Sequence, residues 1–356
     1  MSSPTSSSPD PAVCDGRSPL LLPANRPARR PYRGGSGIAR FRGISLPDDR
    51  RPEDFLASTT EVFAGGGVGL TVLPDGRTLR SAVSEDPAAW LGPEHVRRFG
   101  ADTRLLVKLL STDERLFAHY HPDAAFAQRH LGRDTGKTEA WIILDTAGGD
   151  GYAYIGFTEG VTESEVAGWV AGQDVERILG AMRRVPLRRG DTLFVPAGTP
   201  HAIGPGVTLV ELQEPTDLSL LLEYGSFGLS QDDAFLGLSP ETALEGLDRT
   251  AVDDAALARL LNAAEPFPGP DEPLLSRSAE PYFRAFRRRV DGTGQVAPGF
   301  GVLVVEEGQG WLESRGQRLP LAAGTCALLP YGAGEVTLGG TLSAIHCAPP
   351  APERAG

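Results

Sequence analysis

Short apolar runs that alternate with turn residues predict a mainly β protein. The runs 105–110, 192–195 and 207–212 are four to six residues long, which is the usual length of strands and too short for most helices. After residue 275 such runs are separated by Gly-containing turns at a spacing of roughly ten residues. Many short strands at this spacing are typical of a β-sandwich or barrel. We therefore expect two β-domains.

A few helices are predicted as insertions between the strands. Thr162-Glu-Ser-Glu165 has the form of a capping box and precedes apolar positions at helical spacing up to Met182. Short helical segments are also expected near 86–95, 123–131 and 253–264. In the last part of the chain, Glu307-Gly-Gln-Gly-Trp311 is expected to be a hairpin turn.

These elements predict the following domain organisation. The boundaries are a disordered Ser/Pro-rich tail at 1–18, an N-terminal metal-binding domain at 19–230, a helical linker segment at 231–274 with a Pro-rich stretch at 265–273, a C-terminal domain at 275–349 and a tail at 350–356.

The candidate chemistry lies in Phe117-Ala-His-Tyr-His-Pro122. In a strand, His119 and His121 would face the same side, about 7 Å apart, and Glu139 follows after a turn. The run from Gly190 to His201 has the pattern G-x5-P-x-G-x2-H. This pattern resembles the second motif of the cupin jelly rolls, in which the two motifs converge at the mouth of a barrel.

Three imidazoles and a carboxylate suit a borderline divalent ion. His119, His121, Glu139 and His201 are therefore candidate ligands of Zn²⁺, with Fe²⁺, Mn²⁺, Co²⁺ or Ni²⁺ as alternatives. In the C-terminal domain, Gly324 to Pro330 repeats the turn and strand without a ligand histidine. We thus expect two cupin domains, of which only the first binds metal.

Composition and charge reduce the range of possible partners and cellular locations. A net charge of −12 argues against a nucleic-acid partner. The sequence has no secretory signal and no apolar run of the length of a membrane span, so we expect no membrane partner and a cytoplasmic location. Three cysteines without metal-ligand spacing fit a reducing compartment. The only two lysines, Lys108 and Lys137, both lie near the predicted site.

Several motifs in order resemble the type I mannose-6-phosphate isomerases and their shorter bacterial relatives, from about residue 20 to 347. The motifs are Lys108-Leu-Leu, His119-Tyr-His-Pro-Asp123, Gly136-Lys-Thr-Glu139-Ala-Trp, Pro196-Ala-Gly-Thr-Pro-His-Ala-Ile203 and Glu211-Leu-Gln-Glu-Pro-Thr-Asp217. The resemblance implies a mainly β fold of two cupin barrels with a few inserted helices. It also implies Zn²⁺-dependent interconversion of mannose 6-phosphate and fructose 6-phosphate through a cis-enediol.

The resemblance also implies roles for individual residues. His121, Glu139 and His201 would be metal ligands, and His119 occupies the position where the family usually has glutamine. Lys137 and Glu211 match catalytic residues. Lys108 and Asp217 match residues that bind or support substrate.

Two departures from the family pattern leave other substrates open. Phe117 stands where the family usually has serine, and Leu221 stands where it usually has arginine; both family residues are natural phosphate partners. One alternative is an isomerase of an unphosphorylated or modified sugar, and another is a sugar-binding double cupin without catalysis. In each case the expected partner is a small-molecule sugar or sugar phosphate. A metal-dependent dioxygenase is a more distant alternative. Nothing in the sequence indicates an oligomeric state.

Overall fold

The computed structural model describes residues 14–262 and 271–352, and this part of the chain is mainly β with short inserted helices. The predicted fold class is thus confirmed. The ends of both expected tails and residues 263–270 of the expected linker lie outside the described residues. The main-chain N–H of Cys14 donates to the Asp75 carboxylate, so the chain contacts the body of the protein from its first described residue.

The described strands of the first region are β2 (Glu53–Leu56), β3 (Leu106–Ser111), β4 (His119–Tyr120), β5 (Glu139–Thr146), β6 (Tyr152–Phe157), β7 (Met182–Pro186), β8 (Thr192–Val195), β9 (His201–Ile203), β10 (Val207–Gln213) and β11 (Leu220–Leu221). They form two antiparallel sheets of five, in the orders β2-β3-β10-β5-β8 and β11-β4-β9-β6-β7.

The two faces of strand β10 show how the first region is layered. Leu209 packs in the core between the two sheets, and alternation places Glu211 and Gln213 on that same inner face. Val210 and Leu212 point the other way, into a second core on the outer side of the sheet. Because both faces are covered, every residue of β10 is buried.

Short helices connect these strands and cover their edges. They are α1 (Ser36–Arg42), α2 (Leu79–Glu85), α3 (Pro87–Leu91), α4 (Pro93–Phe99), α5 (Ala124–Phe126), α6 (Glu163–Ala171), α7 (Val175–Ala181), α8 (Gln231–Ala234), α9 (Pro240–Glu245) and α10 (Asp254–Leu260). The predicted capping box between Thr162 and Glu165 is present at the start of α6. Within the described ranges, none of these helices has the length and apolar character needed to cross a membrane.

The second region is one seven-stranded antiparallel sheet in the described part of the chain. Six of its strands are β12 (Asp271–Pro273), β13 (Arg284–Val296), β14 (Gly301–Ser314), β15 (Gln317–Ala322), β16 (Cys326–Leu329) and β17 (Val336–Ala348). The seventh is β1 (Leu20–Leu21), which pairs with β16 from the opposite end of the chain.

The expected hairpin turn at Glu307–Trp311 is wrong. These residues lie inside β14, which stays paired with β17 through a register shift between Val305 and Glu307. The irregularity lets one long strand bend, so that its first half pairs with β16 and its second half with β15. Glycines that suggested a turn instead permit close strand approach: a Cβ at Gly310 would lie 1.9 Å from the carbonyl oxygen of Gly339.

The two regions share a hydrophobic core. Val210 and Leu212 on the outer face of the first region pack in the same cluster as Val302, Leu328 and Ile345 of the C-terminal sheet. The C-terminal sheet therefore closes one side of the sheet whose other side carries Glu211.

Candidate metal centre

Three imidazoles converge between the two sheets of the first region. His119 and His201 are Cα partners across β4 and β9, and His121 follows β4 by one residue. One ring nitrogen from each histidine lies within 4.8 Å of the others, and the ring centroids are 4.1 to 4.9 Å apart. All three side chains are buried.

The main chain fixes the orientation of each ring. The Nδ1 atoms of His119, His121 and His201 lie 3.0, 2.8 and 2.9 Å from the carbonyl oxygens of Phe117, Leu218 and Thr199. A carbonyl oxygen only accepts, so each Nδ1 carries the hydrogen. The Nε2 atoms are then left as lone-pair donors that can bind a metal, as is usual for ligand histidines.

Glu139 completes the cluster at the start of β5. Its Oε2 lies 3.1 Å from His121 Nε2 and its Oε1 lies 3.3 Å from His201 Nε2. The indole Nε1 of Trp141 donates to Oε1 at 2.9 Å. The predicted ligands His119, His121, Glu139 and His201 are thus brought together at one place.

This donor set fits a divalent cation. With Nδ1 protonated, Nε2 of His121 and of His201 are acceptors, yet each faces an acceptor oxygen of Glu139. Two acceptors cannot bond to one another, and Glu139 Oε2 and His201 Nε2 are indeed buried without hydrogen-bond partners in the structure. A cation held by His119, His121, His201 and Glu139 would satisfy them, and borderline ions such as Zn²⁺ prefer this mixture of ligands.

The electrostatics favour the ligand forms of these groups. Burial and then the positive charge of Lys137 lower the pKa of His121 to about 3, and burial followed by the other two imidazoles lowers the pKa of His119 well below its usual value. Burial alone would raise the pKa of Glu139, but the positive charge of Lys137 helps to hold it well below its usual range. Neutral imidazoles beside an ionised carboxylate are the state that binds metal.

Lys137 lies against this centre. It lies two residues before Glu139, the first residue of β5, and residues two apart in an extended chain point to the same side. Its Nζ is 3.1 Å from His121 Nε2 and 3.5 Å from Glu139 Oε2.

The other predicted site residues form a buried charge network beside the centre. Lys108 Nζ lies 3.0 Å from Glu53 Oε1, 3.6 Å from Glu211 Oε2 and 3.5 Å from Asp217 Oδ1. Arg30 also binds Glu53, and it binds Asp217 at 3.4 Å. This network therefore contains all three remaining predicted site residues, Lys108, Glu211 and Asp217.

Within the network, the pKa values of Glu211 and Asp217 are shifted in opposite directions. Burial and the nearby Glu139 carboxylate raise the pKa of Glu211 to about 7, although Lys108 opposes the shift. Burial would also raise the pKa of Asp217, but Arg30 and Lys108 hold it below its usual range. Glu211 is therefore a carboxyl group that can gain and lose a proton near neutral pH.

Sequence reasoning missed Arg30 and Glu53. Arg30 lies in the stretch 23–35, which is rich in Pro and Arg and has no periodicity that indicates a partner. Glu53 lies two residues before Phe55, the Cα partner of Lys108, so its place in the network follows from a strand register that the sequence alone does not give.

Phe117 and Leu221 lie beside the imidazoles. The Phe117 ring is 5.1 Å from His119 and 5.3 Å from Phe227, and it meets Tyr32 edge to face at 5.7 Å. Leu221 is the Cα partner of His119. This side of the centre is therefore apolar.

A cleft of about 670 Å³ reaches the protein surface next to this network. Thr216, Asp217 and Leu218 form one of its walls, and Phe63, which is 52% exposed, lies on a Gly-rich loop that also lines it. The Phe63 main-chain N–H donates to the Asp217 carboxylate at 3.2 Å. Asp217 therefore lines this cleft directly.

Curated relatives match the chain over most of its length. The mannose-6-phosphate isomerase ManA of Bacillus subtilis is 28% identical over 322 residues, which cover 88% of this chain and 93% of the relative. The mannose-6-phosphate isomerase of Streptococcus mutans is 29% identical over 188 residues, 52% of this chain and 54% of the relative. No family model matches the chain.

Solved structures share the fold. The mannose 6-phosphate isomerase of Bacillus subtilis superposes with a TM-score of 0.66 at 22% identity, over 93% of this chain and 99% of the neighbour. A putative mannosephosphate isomerase from Archaeoglobus fulgidus gives 0.70 at 18% identity, over 94% and 98%. Motifs, curated relatives and fold agree, and the chain is a homologue of the mannose-6-phosphate isomerases along nearly all of its described length.

Proposed function

We propose that this protein is a metal-dependent aldose–ketose isomerase that interconverts mannose 6-phosphate and fructose 6-phosphate through a cis-enediol. The observation that carries the proposal is the pairing of a ligand cluster with Glu211, a buried carboxyl whose pKa is about 7. Isomerisation needs both stabilisation of negative charge on oxygen and a proton-transfer group near neutral pH. The curated relatives that match most of the chain carry the same activity in their names.

We propose His119, His121, Glu139 and His201 as the metal ligands. A bound divalent ion, Zn²⁺ first, would supply Lewis acidity for the carbonyl and hydroxyl oxygens of the sugar. Carbonyl oxygens of the main chain hold the three rings in place, so the ligands are oriented before any ion arrives.

Glu211 is the proposed group that moves the carbon-bound proton. In its ionised form it removes the proton from C2 of the aldose, and as the acid it returns the proton to C1 to complete the ketose. Its burial keeps bulk water from exchanging that proton. Lys137, whose ammonium lies against His121 and Glu139, is proposed to transfer the proton between the hydroxyl and carbonyl oxygens.

Lys108 and Asp217 are proposed to support and contact substrate. Lys108 holds Glu211 and Asp217 in place through its buried ammonium. Asp217 belongs both to this network and to the wall of the cleft, so it is suited to meet a sugar that enters there.

A second candidate is isomerisation of an unphosphorylated or modified sugar. It is favoured by the apolar surroundings of Phe117 and Leu221 at His119, and by the carboxylates that already engage Lys108 and Arg30. A sugar-binding protein without catalysis would not require the buried Glu211 or Lys137.

The test is turnover on four sugars. Purified protein, stripped of metal by chelation and reloaded with Zn²⁺, Mn²⁺ or Co²⁺, is assayed with mannose 6-phosphate, fructose 6-phosphate, mannose and fructose. Metal-dependent turnover of the phosphorylated pair supports the first candidate. Turnover of the free sugars alone supports the second, and no turnover with any metal on any sugar contradicts both.

A further inference from the structure

Gln213 is a buried polar residue for which the proposed chemistry gives no role. It is the last residue of β10 and is fully buried. It is the Cα partner of Glu139 in β5 and lies two residues from Glu211, so strand alternation places all three side chains on the same inner face.

The orientation of its carboxamide is fixed by the main chain. Nε2 donates to the carbonyl oxygen of Thr216, and that of Glu214 lies 3.4 Å away. Because both partners are acceptors, the amide nitrogen must point toward this turn and the oxygen away from it.

The oxygen Oε1 is buried with no hydrogen-bond partner in the structure. Buried polar atoms almost always have a partner, and one without a partner needs an explanation. An amide oxygen can only accept, so its partner must be a donor. The ammonium of Lys137, the cation that lies against the centre, is directed at His121 and Glu139.

The position of Gln213 indicates where that donor comes from. The turn that its Nε2 holds contributes Thr216, Asp217 and Leu218 to the wall of the cleft, and the Leu218 carbonyl orients His121. Gln213 is therefore connected through this turn to the wall of the cleft and to His121, and it pairs with Glu139. A sugar that reaches Glu211 would bring hydroxyl groups past this oxygen.

We propose that Gln213 binds the substrate directly, with Oε1 accepting a hydrogen bond from a hydroxyl on C3 or C4 of the sugar. This inference rests on the proposed function. Gln213 lies roughly 7 Å along the strand from Glu211, so the hydroxyl it meets belongs to C3 or C4, beyond the reacting pair of C1 and C2. The residue thereby selects substrates that carry a hydroxyl at this position.

The test combines a protein change with a substrate change. Gln213→Met keeps the length of the side chain and removes the acceptor. We expect kcat/KM for the complete sugar to fall about tenfold, the size of one hydrogen bond in a buried site. With the wild-type protein, we expect kcat/KM for a 3-deoxy or 4-deoxy substrate to be about tenfold lower than for the complete sugar. With Gln213→Met, kcat/KM for that deoxy substrate should equal kcat/KM for the complete sugar.

A matched control separates this role from a structural one. The carboxamide of Gln173 bonds to main-chain groups through both its nitrogen and its oxygen. Gln173→Met should lower thermal stability, and with this variant kcat/KM for the deoxy substrate should remain about tenfold lower than for the complete sugar. If Gln213→Met does not fold, Gln213→Asn, which withdraws the amide by one methylene, takes its place.

The loss of kcat/KM on removal of a sugar hydroxyl decides between the outcomes. If this loss is the same for the wild-type protein and Gln213→Met with both the 3-deoxy and the 4-deoxy substrate, the role of Gln213 is overturned. Failure of the proposed function appears differently, as absence of turnover by the wild-type protein itself. Binding of hexitol 6-phosphate, an open-chain polyol that cannot isomerise, then serves as the readout. About tenfold weaker binding by Gln213→Met supports the inference, whereas unchanged binding or no binding by the wild-type protein overturns it.

Discussion

At the scale of single residues, hydrogen bonds to main-chain carbonyls orient the imidazoles so that their Nε2 atoms can bind a metal. His119 and His201 each bond through Nδ1 to the carbonyl two residues earlier, whereas His121 bonds to Leu218, which is distant in sequence. Two of the three rings are therefore oriented by their own strands, and the third depends on the turn that follows β10.

Removing a ligand should abolish metal retention. We expect His201→Ala to bind at least tenfold less Zn²⁺ than the wild-type protein after dialysis, because it removes one of four buried donors. Zn²⁺ should also lose its stabilising effect on thermal unfolding, since a ligand stabilises only the state that binds it. Metal content by mass spectrometry and melting with and without Zn²⁺ measure both effects.

His130→Ala provides the control. His130 lies outside the cluster and its Nε2 is 3.6 Å from Glu245, so its loss should leave the Zn²⁺ content unchanged. Full metal retention by His201→Ala would show that the cluster is not the metal site.

The proton-transfer role of Glu211 predicts a pH dependence. The pKa of Glu211 is raised to about 7, and a base must be ionised, so activity should fall as the pH drops below about 7. Glu211→Gln should lower kcat by about 10² to 10⁴-fold, the usual contribution of a general base, and its residual activity should lack this acidic limb.

Glu223→Gln is the matched control, because Glu223 is a buried carboxylate that binds Arg115 outside the centre. We expect it to reduce stability and to keep the pH profile of the wild-type protein. A Glu211→Gln variant with unchanged kcat would assign proton transfer to another group.

At the scale of elements, the loop around Phe63 is held by the same carboxylate that lies in the charge network. Gly65, Gly66 and Gly67 all have positive φ angles between 73° and 77°, which other residues rarely adopt. The Phe63 N–H bond to Asp217 therefore links a loop of unusual backbone conformation to Lys108 and Arg30.

Loosening this link should increase the mobility of the loop. In Asp217→Asn the side chain loses its charge, and we expect faster amide hydrogen exchange at residues 61–69, because a neutral acceptor bonds more weakly than a carboxylate. Exchange followed by mass spectrometry measures this. Asp134→Asn, at an acid on another wall of the same cleft, should leave exchange at 61–69 unchanged. Equal rates in the wild-type protein and Asp217→Asn would contradict the link.

Elements with local signals were predictable from the sequence. The strand Thr192–Val195 and the capping box of α6 are where their patterns placed them. The motifs of His119 and His201 lie on paired strands, and Glu139 faces them from the other sheet. Features made by distant pairing were not predictable. The expected turn at Glu307–Trp311 is strand because β17 pairs along its length, and the contacts of Arg30 with Glu53 and Asp217 join three separate segments.

At the scale of the whole molecule, the two β-regions are joined through a common core. Leu328 is fully buried in the cluster that also contains Val210 and Leu212 from the metal-binding region. The stability of the candidate site should thus depend on residues far from it in sequence.

A cavity in the C-terminal sheet should weaken both regions together. We expect Leu328→Ala to lower the free energy of unfolding by about 2–5 kcal/mol and to shift a single calorimetric transition without splitting it. Leu312→Ala is the comparison, because Leu312 lies in a separate core that belongs to the C-terminal sheet. In this variant the C-terminal sheet should unfold before the first region. Two separated transitions in the wild-type protein would argue that the regions unfold independently.

The pairing of β1 with β16 has a consequence for biosynthesis. Leu20 and Leu21 pair with Leu328 and Ala327, so β1 leaves the ribosome long before its partner strand is made. At about 5–20 residues per second, a separation of roughly 300 residues corresponds to a wait of roughly 15–60 s. During that interval β1 has no partner strand, so the C-terminal sheet can be completed only after β16 has been synthesised.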